Sequence, residues 1–369
     1  MKVPFVNLKA QYATIQAEID EAVQNVLCNG LFIKGNHVAD FEKAFAAKLG
    51  AIHCLGVGNG TDALFIALKS LNIQPGDEVL TPALSWISTS ETISLTGATP
   101  VFVDVEPDYF GIDLAHAQRL ITPKTKAIIA VHLYGQALTL DKLKDFCVVN
   151  NLLVIEDCAQ AHFATHQSVV AGTVGDVAAF SFYPTKNLGA FGDAGCLVTN
   201  NEEVAIKARR FSNHGGLHKN EHLMEGINSR LDELQAAMLS VKLKHIDKWN
   251  EQRIQHVEIY RKKLATVSSI ILPGLRPHAH HTYHQFVIRA QDRNELKSFL
   301  LKKGIETEIH YPAALPFEPA YVYLKHSPSD FPIASELVTE ILSLPIYPEL
   351  SQEQIEYVCS AIQSFYSTR

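Results

Sequence analysis

The sequence predicts an α/β fold with a mainly parallel sheet and a smaller α+β part at the C-terminus. Seven short β-rich runs alternate with helical stretches between residues 51 and 200, which is the pattern of a parallel sheet covered by helices. After residue 250 the order changes to strand, helix, strand and helix. A chain of 369 residues exceeds the usual roughly 100–200 residues of one domain, so two domains are expected.

The first part of the chain supplies the sheet and its crossover helices. The β-rich runs are AIHCLGVG, EVLTPAL, PVFVDV, KAIIAVHLYG, LLVIEDC, VAAFSF and GCLVTN. Apolar residues recur at helical spacing between these runs, over residues 61–71, 86–96, 113–120 and 140–150. Asp113 stands where it would cap the third of these helices.

The second part begins with a bridging segment. After Asn228, the residues 231–264 predict one long amphipathic helix, whose apolar stripe includes Leu231, Leu234, Met238, Val241 and Ile246. HQFVIRA and IETEI predict strands, and DRNELKSFLLKKG and SQEQIEYVCSAIQSFY predict helices. We therefore expect a large domain over residues 1–249, with an N-terminal helical segment, and a small domain over 250–369.

Charge and composition exclude several classes of function. There are 32 Lys and Arg against 39 Asp and Glu, and a net charge of −7 argues against general nucleic-acid binding. The N-terminus lacks an apolar signal region and no stretch approaches a membrane span, so a cytoplasmic protein without membrane attachment is expected. The six cysteines are scattered, which predicts buried thiols, and the histidines of 278–284 lack zinc-site spacing, so no metal is expected.

Ligands of open α/β sheets bind beyond the carboxyl ends of the strands, so the residues that end each run are candidates for a site. In VGNGTDAL, Gly58 and Gly60 allow a close approach of the backbone, and Thr61 and Asp62 begin a helix whose free N–H groups suit a phosphate. A strand-to-helix turn without a ligand is the competing interpretation. A dinucleotide fingerprint is not favoured, because the final glycine is missing.

Two further strand ends carry an aromatic ring and a carboxylate. Trp86 in TPALSWIST could cover one face of a pyridine ring, although a large aromatic residue is more often part of the core. Asp157 ends the apolar run LLVIED, where its carboxylate could keep a pyridine nitrogen protonated, and Gln160 could donate to a phenolate oxygen of the same ring. The alternative for Glu156 and Asp157 is a helix-capping pair.

The fourth strand end, FSFYPTKNLGAFG, leads through Ser181 and Tyr183 to Lys186. A lysine with few solvating neighbours can have a depressed pKa and form an imine with a carbonyl group. An isolated lysine after a strand is usually a surface charge, so the interpretation depends on the other strand ends. A phosphate site, a carboxylate and a lysine together predict pyridoxal 5′-phosphate (PLP) as the cofactor.

These segments resemble the DegT/DnrJ/StrS sugar aminotransferase family of the aspartate aminotransferase superfamily, over essentially the whole chain. The resemblance rests on PFVNLKAQY, GLFIKGNHVADFEKAFA, GNGTDAL, TPALSW, EDCAQAH, SFYPTKNLGAFGDAG, GINSRLDELQAA and IHYPAALPFEPAY. It implies the PLP-dependent transferase fold type I, with a seven-stranded sheet in the large domain. It also implies a homodimer with shared active sites.

The resemblance assigns roles to individual residues. Lys186 matches the lysine that holds PLP and moves the proton, Asp157 the partner of the pyridine nitrogen, Gln160 the partner of O3′ and Trp86 the stacking aromatic. The residues that match the phosphate site are Gly60, Thr61, Asp62 and Ser181, with Asn228 reaching it from the neighbouring subunit. A family branch that dehydrates its substrate has histidine in place of this lysine, so Lys186 indicates amino transfer.

The remaining matches concern the substrate. Tyr183, Lys219, His310 and Tyr311 resemble the branch that aminates C3 of dTDP-3-keto-6-deoxyhexoses with glutamate as donor, in deoxyamino-sugar biosynthesis for lipopolysaccharide or another surface glycoconjugate. Alternatives are a C4 aminotransferase, a PLP enzyme with a non-sugar substrate and a PLP-binding regulator without turnover. Phe163 and the segment ATHQSVVAG depart from the family pattern, and we expect them at the edge of the site, where they would affect substrate fit.

Overall fold

The computed structural model describes residues 1–367, and its centre is a seven-stranded sheet of mixed but mostly parallel strands. The strands along the chain are β1 His53–Val57, β2 Glu78–Pro82, β3 Thr99–Val103, β4 Thr125–Val131, β5 Leu153–Asp157, β6 Thr165–His166, β7 Val169–Val170, β8 Val177–Ser181, β9 Gly195–Thr199, β10 Ile270–Ile271, β11 Ala279–His280, β12 Phe286–Ala290 and β13 Ile341–Leu344. The large sheet has the order β1-β9-β8-β5-β4-β2-β3. Only β9 runs against its neighbours, so the predicted parallel sheet is confirmed.

The helices cover the sheet and continue into the C-terminal part. They are α1 Leu8–Asn29, α2 Asn36–Leu49, α3 Gly60–Ser70, α4 Ser88–Leu95, α5 Leu114–Leu120, α6 Leu140–Asn150, α7 Glu202–Phe211, α8 Glu233–Leu243, α9 Ile246–Leu264, α10 Arg293–Lys302, α11 Pro332–Glu340 and α12 Gln352–Ser367. Asp113 caps α5 as predicted, since its carboxylate accepts the N–H groups of Ala115 and His116. The central strands are apolar on both faces because helices pack on each side of the sheet.

The bridging segment contains two helices, so the prediction of one continuous helix is wrong. The N–H groups of Lys244 and His245 donate to the carbonyls of Val241 and Lys242, three residues back, at 3.2 and 3.0 Å. These tighter bonds interrupt the α-helical ladder between α8 and α9. The His245 imidazole lies 3.0 Å from the Glu18 carboxylate of α1, which holds the turn against the N-terminal helix.

The C-terminal part differs from the prediction at IETEI. Its small sheet has the order β10-β12-β13, and residues 305–309 form only two isolated bridges, at Ile305 and Glu308. The carbonyl of Thr307 accepts a hydrogen bond from Lys297 Nζ at 2.6 Å in place of one from a neighbouring strand. The third strand, β13, was not predicted. The division at residues 249 and 250 stays a prediction and falls within α9.

The prediction of buried cysteines is confirmed in part. Five cysteines are buried as predicted, whereas Cys28 in the last turn of α1 is exposed, because it lies on the outer face of that helix. Over residues 1–367, every helix is too short or too polar to cross a bilayer.

Candidate active site

The carboxyl ends of the parallel strands surround a cavity of about 670 Å³. Because β1, β2, β5 and β8 run in the same direction, the segments that follow them meet at one edge of the sheet. Eleven of the thirteen predicted site residues line this cavity: Gly60, Thr61, Asp62, Trp86, Asp157, Gln160, Ser181, Tyr183, Lys186, His310 and Tyr311. The four predicted strand ends therefore meet at one cavity.

Asn228 and Lys219 do not line the cavity of their own chain. Both are exposed in the segment between α7 and α8, where Asn228 forms a backbone bridge with Asn213. The resemblance assigns Asn228 to the site of a neighbouring subunit, which is compatible with its exposed position. Its role and that of Lys219 stay predictions.

The N-terminus of α3 forms a cradle for an anion. Asn59 caps the helix by accepting the N–H of Asp62 at 2.8 Å, and the N–H groups of Gly60 and Thr61 have no hydrogen-bond acceptor among the described residues. A Cβ atom on Gly60 would lie 2.6 Å from the Cβ of Ser181, so this position admits only glycine. A phosphate group fits two free N–H groups at the positive end of a helix.

Lys186 lines this cavity from the loop between β8 and β9. Burial lowers the pKa of its ammonium group to about 8, and the Asp157 carboxylate opposes part of that effect. In a fraction of the molecules, the Lys186 side chain is therefore an uncharged amine near neutral pH. An uncharged lysine amine in an enclosed cavity is a nucleophile for a carbonyl group.

Asp157 is held in the cavity as a hydrogen-bonded carboxylate. Its two oxygens accept the N–H of Ala159 and the hydroxyl of Thr89, each at 3.1 Å, and Thr89 is itself 2.8 Å from the Ser85 hydroxyl. Burial raises the pKa of Asp157, while these two donors and the charge of Lys186 act against the increase. The carboxylate can thus hold a protonated ring nitrogen.

Gln160 is oriented by two neighbours. Its Oε1 accepts the N–H of Tyr134 at 2.7 Å, and its Nε2 donates to the hydroxyl of Tyr311 at 2.9 Å. The Tyr134 hydroxyl in turn donates to the carbonyl of His310. Since the amide carries a second N–H, Gln160 retains a donor for a ligand oxygen.

Aromatic rings form the rim of the cavity. Trp86 is 58% exposed and Tyr183 is 52% exposed, so neither belongs to the core. The Trp86 ring lies 5.6 Å from the ring of Tyr311, at an angle of 46°. An exposed flat ring at a cavity mouth can cover a planar ligand, which favours the stacking interpretation of Trp86 over the core interpretation.

His310 contributes a neutral polar group. Its Nδ1 lies 2.8 Å from the Ser343 hydroxyl, and its ring stacks on Phe5 with a centroid distance of 5.8 Å. Burial lowers the pKa of His310 to about 4, and the charge of Lys186 adds to this effect. The imidazole is uncharged near neutral pH and can exchange hydrogen bonds with a hydroxyl group.

Sequence reasoning missed several residues of this site. Asn59 had a recognisable signal, because an asparagine directly before a helix is a strong N-cap. Thr89, His284 and Gln285 had none, since each is polar, buried and defined only by its neighbours in the fold. His284 and Gln285 line the cavity beside Lys186.

Glu156 points away from the cavity, although it is adjacent to Asp157. Its carboxylate is fully buried and accepts the Nε2 hydrogen of His132 at 2.8 Å and the N–H groups of Gly172, Val174 and Gly175 at 2.6–2.8 Å. Four donors use the acceptor capacity of this carboxylate. His132, Glu156 and Cys158 lie together, but the carboxylate has no lone pair left for a metal ion.

The expected effect of the two atypical segments on the site is not supported by their positions. Phe163 packs on Phe45 in the core, with a centroid distance of 5.5 Å, and does not line the cavity. The segment ATHQSVVAG forms the hairpin of β6 and β7, and His166 and Gln167 line a separate cavity near Arg276. Neither departure is therefore at the edge of the active site.

The residues of the large cavity fit PLP. The α3 cradle suits the phosphate, and Lys186 suits the carbonyl group. Asp157 suits the ring nitrogen and Gln160 the ring oxygen. Gly60 has no side chain to fill the space beside Ser181, so the cradle stays open to an anion. This donor set suits a planar, phosphorylated aromatic aldehyde.

Comparison with known proteins gives the same assignment. The model of the DegT/DnrJ/EryC1/StrS aminotransferase family matches residues 13–363. The chain is 42% identical to a pleiotropic regulatory protein of Geobacillus stearothermophilus, over 99% of both chains, and 40% identical to the dTDP-3-amino-3,4,6-trideoxy-α-D-glucose transaminase of Streptomyces venezuelae, over 99% of this chain and 96% of the other. The crystal structure of S. venezuelae DesV in complex with a ketimine intermediate superposes with a TM-score of 0.96 at 40% identity, over 99% of this chain and 98% of that one. The chain belongs to the DegT/DnrJ/EryC1/StrS aminotransferase family and is a PLP-dependent aminotransferase of sugar nucleotides.

Proposed function

We propose that this enzyme transfers an amino group from glutamate to the C3 keto group of a dTDP-3-keto-6-deoxyhexose. The observation that carries the proposal is that Lys186, Asp157 and the α3 phosphate cradle line one cavity together with Tyr183, His310 and Tyr311. The similarity to a dTDP-3-amino sugar transaminase supports the choice of nucleotide and carbon. The aminated sugar would serve deoxyamino-sugar biosynthesis for a surface polysaccharide.

Bound PLP supplies an electron sink that stabilises a carbanion at the substrate carbon. Asp157 would keep the ring nitrogen protonated, since its carboxylate is fixed by Thr89 and by the N–H of Ala159. Gln160 would donate its free amide hydrogen to the ring oxygen. The Lys186 amine would hold the cofactor and, once released, move a proton from the donor carbon to the cofactor and, in the second half-reaction, from the cofactor to the sugar carbon.

The sugar would lie between the aromatic rim and His310. The neutral His310 imidazole can hydrogen-bond sugar hydroxyls without placing a second positive charge beside Lys186. Tyr311 links the two sides of the site, because its hydroxyl binds Gln160 and its ring lies beside Trp86. A sugar that contacts Tyr311 would therefore be held close to the cofactor partners.

The charge of the cavity favours a site completed by a second copy of the chain. Among the described residues that line it, Lys186 is the one lysine or arginine, whereas three carboxylates are present, those of Asp62, Asp157 and Asp193. A nucleotide diphosphate and the cofactor phosphate together bring several negative charges. Lys219 and Asn228 are exposed and could reach the site of a neighbouring subunit, so we propose a homodimer with shared sites.

The proposal is tested by an absorbance spectrum of the purified protein before and after glutamate, followed by keto-sugar nucleotides and mass analysis of the product. Glutamate should remove the band of lysine-bound PLP, and a dTDP-3-keto-6-deoxyhexose should restore it, as ping-pong kinetics require. The Lys186→Ala variant should lack the band. If the band disappears with glutamate and no 3-keto sugar restores it, C3 transfer is contradicted and PLP binding stays intact.

The same assay separates the competing functions. A C4 aminotransferase would restore the band with a nucleotide-linked 4-keto-6-deoxy sugar and give the 4-amino product. A PLP-binding regulator would show the band but respond to neither glutamate nor any sugar, an outcome of interest because one relative carries the name of a regulatory protein. Turnover with glutamate excludes this second case.

A further inference from the structure

The loop that carries Lys186 is fastened to the two bridging helices. Gln235 of α8 accepts the N–H of Phe191 at 2.9 Å, and Asn250 of α9 accepts the side-chain amide of Asn187 at 2.8 Å. These contacts hold the residues on the C-terminal side of Lys186. The loop that carries the lysine is therefore held by helices that lie outside the cavity.

A third contact comes from Lys242, a fully buried residue of α8. Its Nζ donates to the carbonyl of Gly189 at 2.6 Å and lies 4.1 Å from the centre of the Phe191 ring. None of the described carboxylates lies within 4.0 Å of it. Burial lowers the pKa of Lys242 to about 8, and the more distant Glu349 acts against the decrease.

A buried ammonium group without a paired carboxylate is a poor device for stabilising a fold. Its desolvation costs more than one hydrogen bond and one ring contact return, and apolar replacements of buried charges are often neutral or stabilising. The position of the contact suggests another use. Gly189 is three residues from Lys186, and a side chain there would collide with the carbonyl of Pro184, so the loop is folded tightly on itself.

We propose that Lys242 is a positioning residue that fixes the Gly189 carbonyl and so directs the Lys186 amine into the cavity. Without the ammonium group, the carbonyl loses its donor and the loop gains freedom between its anchors at Asn187 and Phe191. Lys242 does not line the cavity, so it acts through the loop alone. The inference rests on the proposed role of Lys186 in holding PLP.

The test uses Lys242→Met, which keeps the aliphatic stem and removes the charge, with Lys244→Met as the matched control on the exposed side of the same turn. Each cofactor-free protein is mixed with PLP, and borohydride at timed intervals locks the covalent link for peptide mapping. We expect about tenfold slower covalent capture at Lys186 in Lys242→Met, the effect of losing one charged hydrogen bond. Lys244→Met should match the wild type.

Two further readouts separate positioning from folding. The melting temperature of cofactor-free Lys242→Met should equal or exceed that of the wild type, and total PLP retained after gel filtration should fall less than the covalent fraction. If Lys242→Met does not fold, Gln235→Leu removes a neighbouring anchor of the same loop and should slow capture similarly. Capture at the wild-type rate in the folded variant would overturn the inference. Failure of the wild type itself to capture PLP would contradict the proposed function instead.

Discussion

Glu156→Gln should destabilise the protein strongly, although this residue does not face the cavity. Each Glu156 oxygen accepts two hydrogen bonds, one oxygen from His132 and Gly172 and the other from Val174 and Gly175. Whichever oxygen is replaced by the amide nitrogen, two buried donors lose their acceptor. They then face the N–H groups of that nitrogen, which is itself a donor. The substitution therefore removes two bonds in any orientation of the new amide.

The magnitude follows from those two donors. A buried donor left without a partner costs about 1–3 kcal/mol, and two of them, with the weaker bonds to a neutral amide, give about 3–6 kcal/mol. Unfolding entropies near 2.1 cal/mol/K per residue give about 0.8 kcal/mol/K for this chain, so the melting temperature should fall by about 4–8 °C. Glu353→Gln, which changes an exposed carboxylate, should stay within about 0.5 kcal/mol of the wild type.

The pH dependence checks the cause of this effect. Burial alone would raise the pKa of Glu156, but its hydrogen bonds to His132 and to the 172–175 backbone outweigh that effect and hold the pKa below its ordinary value of 4.5. A depressed folded pKa contributes stability above pH 4.5 that is lost as the pH falls through the folded value. Calorimetry should thus show the wild type and variant converging in acid. A variant within 1 °C (about 1 kcal/mol) of the wild type at neutral pH would refute the reasoning.

Three other perturbations test the cavity itself. Thr89→Val removes a donor to the Asp157 carboxylate and should lower kcat about tenfold with little change in the KM for glutamate, as steady-state kinetics would show. Gly60→Ala places a methyl group 2.6 Å from the Cβ of Ser181. An absorbance titration should therefore find PLP binding weakened at least about tenfold. An unchanged affinity would place the phosphate elsewhere. Because the pKa of Lys186 is about 8 and only the uncharged amine reacts, the covalent capture of PLP by the cofactor-free protein should accelerate from about pH 6 to pH 8 and then level off. A rate that does not depend on pH would exclude Lys186 as the reacting amine.

The fold and the position of the candidate site at one sheet edge were predictable because their signals are local and directional. Apolar runs separated by helical periodicity determine a parallel sheet, and a parallel sheet brings Gly60, Trp86, Asp157 and Lys186 to one edge whatever the strand order. Boundaries were less predictable. The turn between α8 and α9 is made of residues that suit a helix, and its stability depends on tertiary contacts such as the one to Glu18.

The substrate side of the site was less predictable, because His310 and Tyr311 come from a loop of the C-terminal part and not from an end of a strand of the large sheet. Tyr183, His310 and Tyr311 are brought together by contacts distant in sequence, such as the bond from Tyr134 to the His310 carbonyl. Phe163 shows that a residue next to a site motif in the sequence need not line the site. It adjoins a cavity motif in the sequence, but its side chain packs on Phe45 in the core.

The pair Glu156 and Asp157 shows how one strand separates stability from chemistry. Successive side chains of a strand point to opposite faces, so only one of two adjacent acids can reach the cavity. Asp157 reaches it, with two donors and a pKa raised by burial, and has capacity left for a ligand. Glu156 faces the other side, where four donors saturate it. The sequence alone identifies the pair, whereas the number of donors around each carboxylate leaves Asp157 free for the proposed contact with the cofactor and commits Glu156 to the fold.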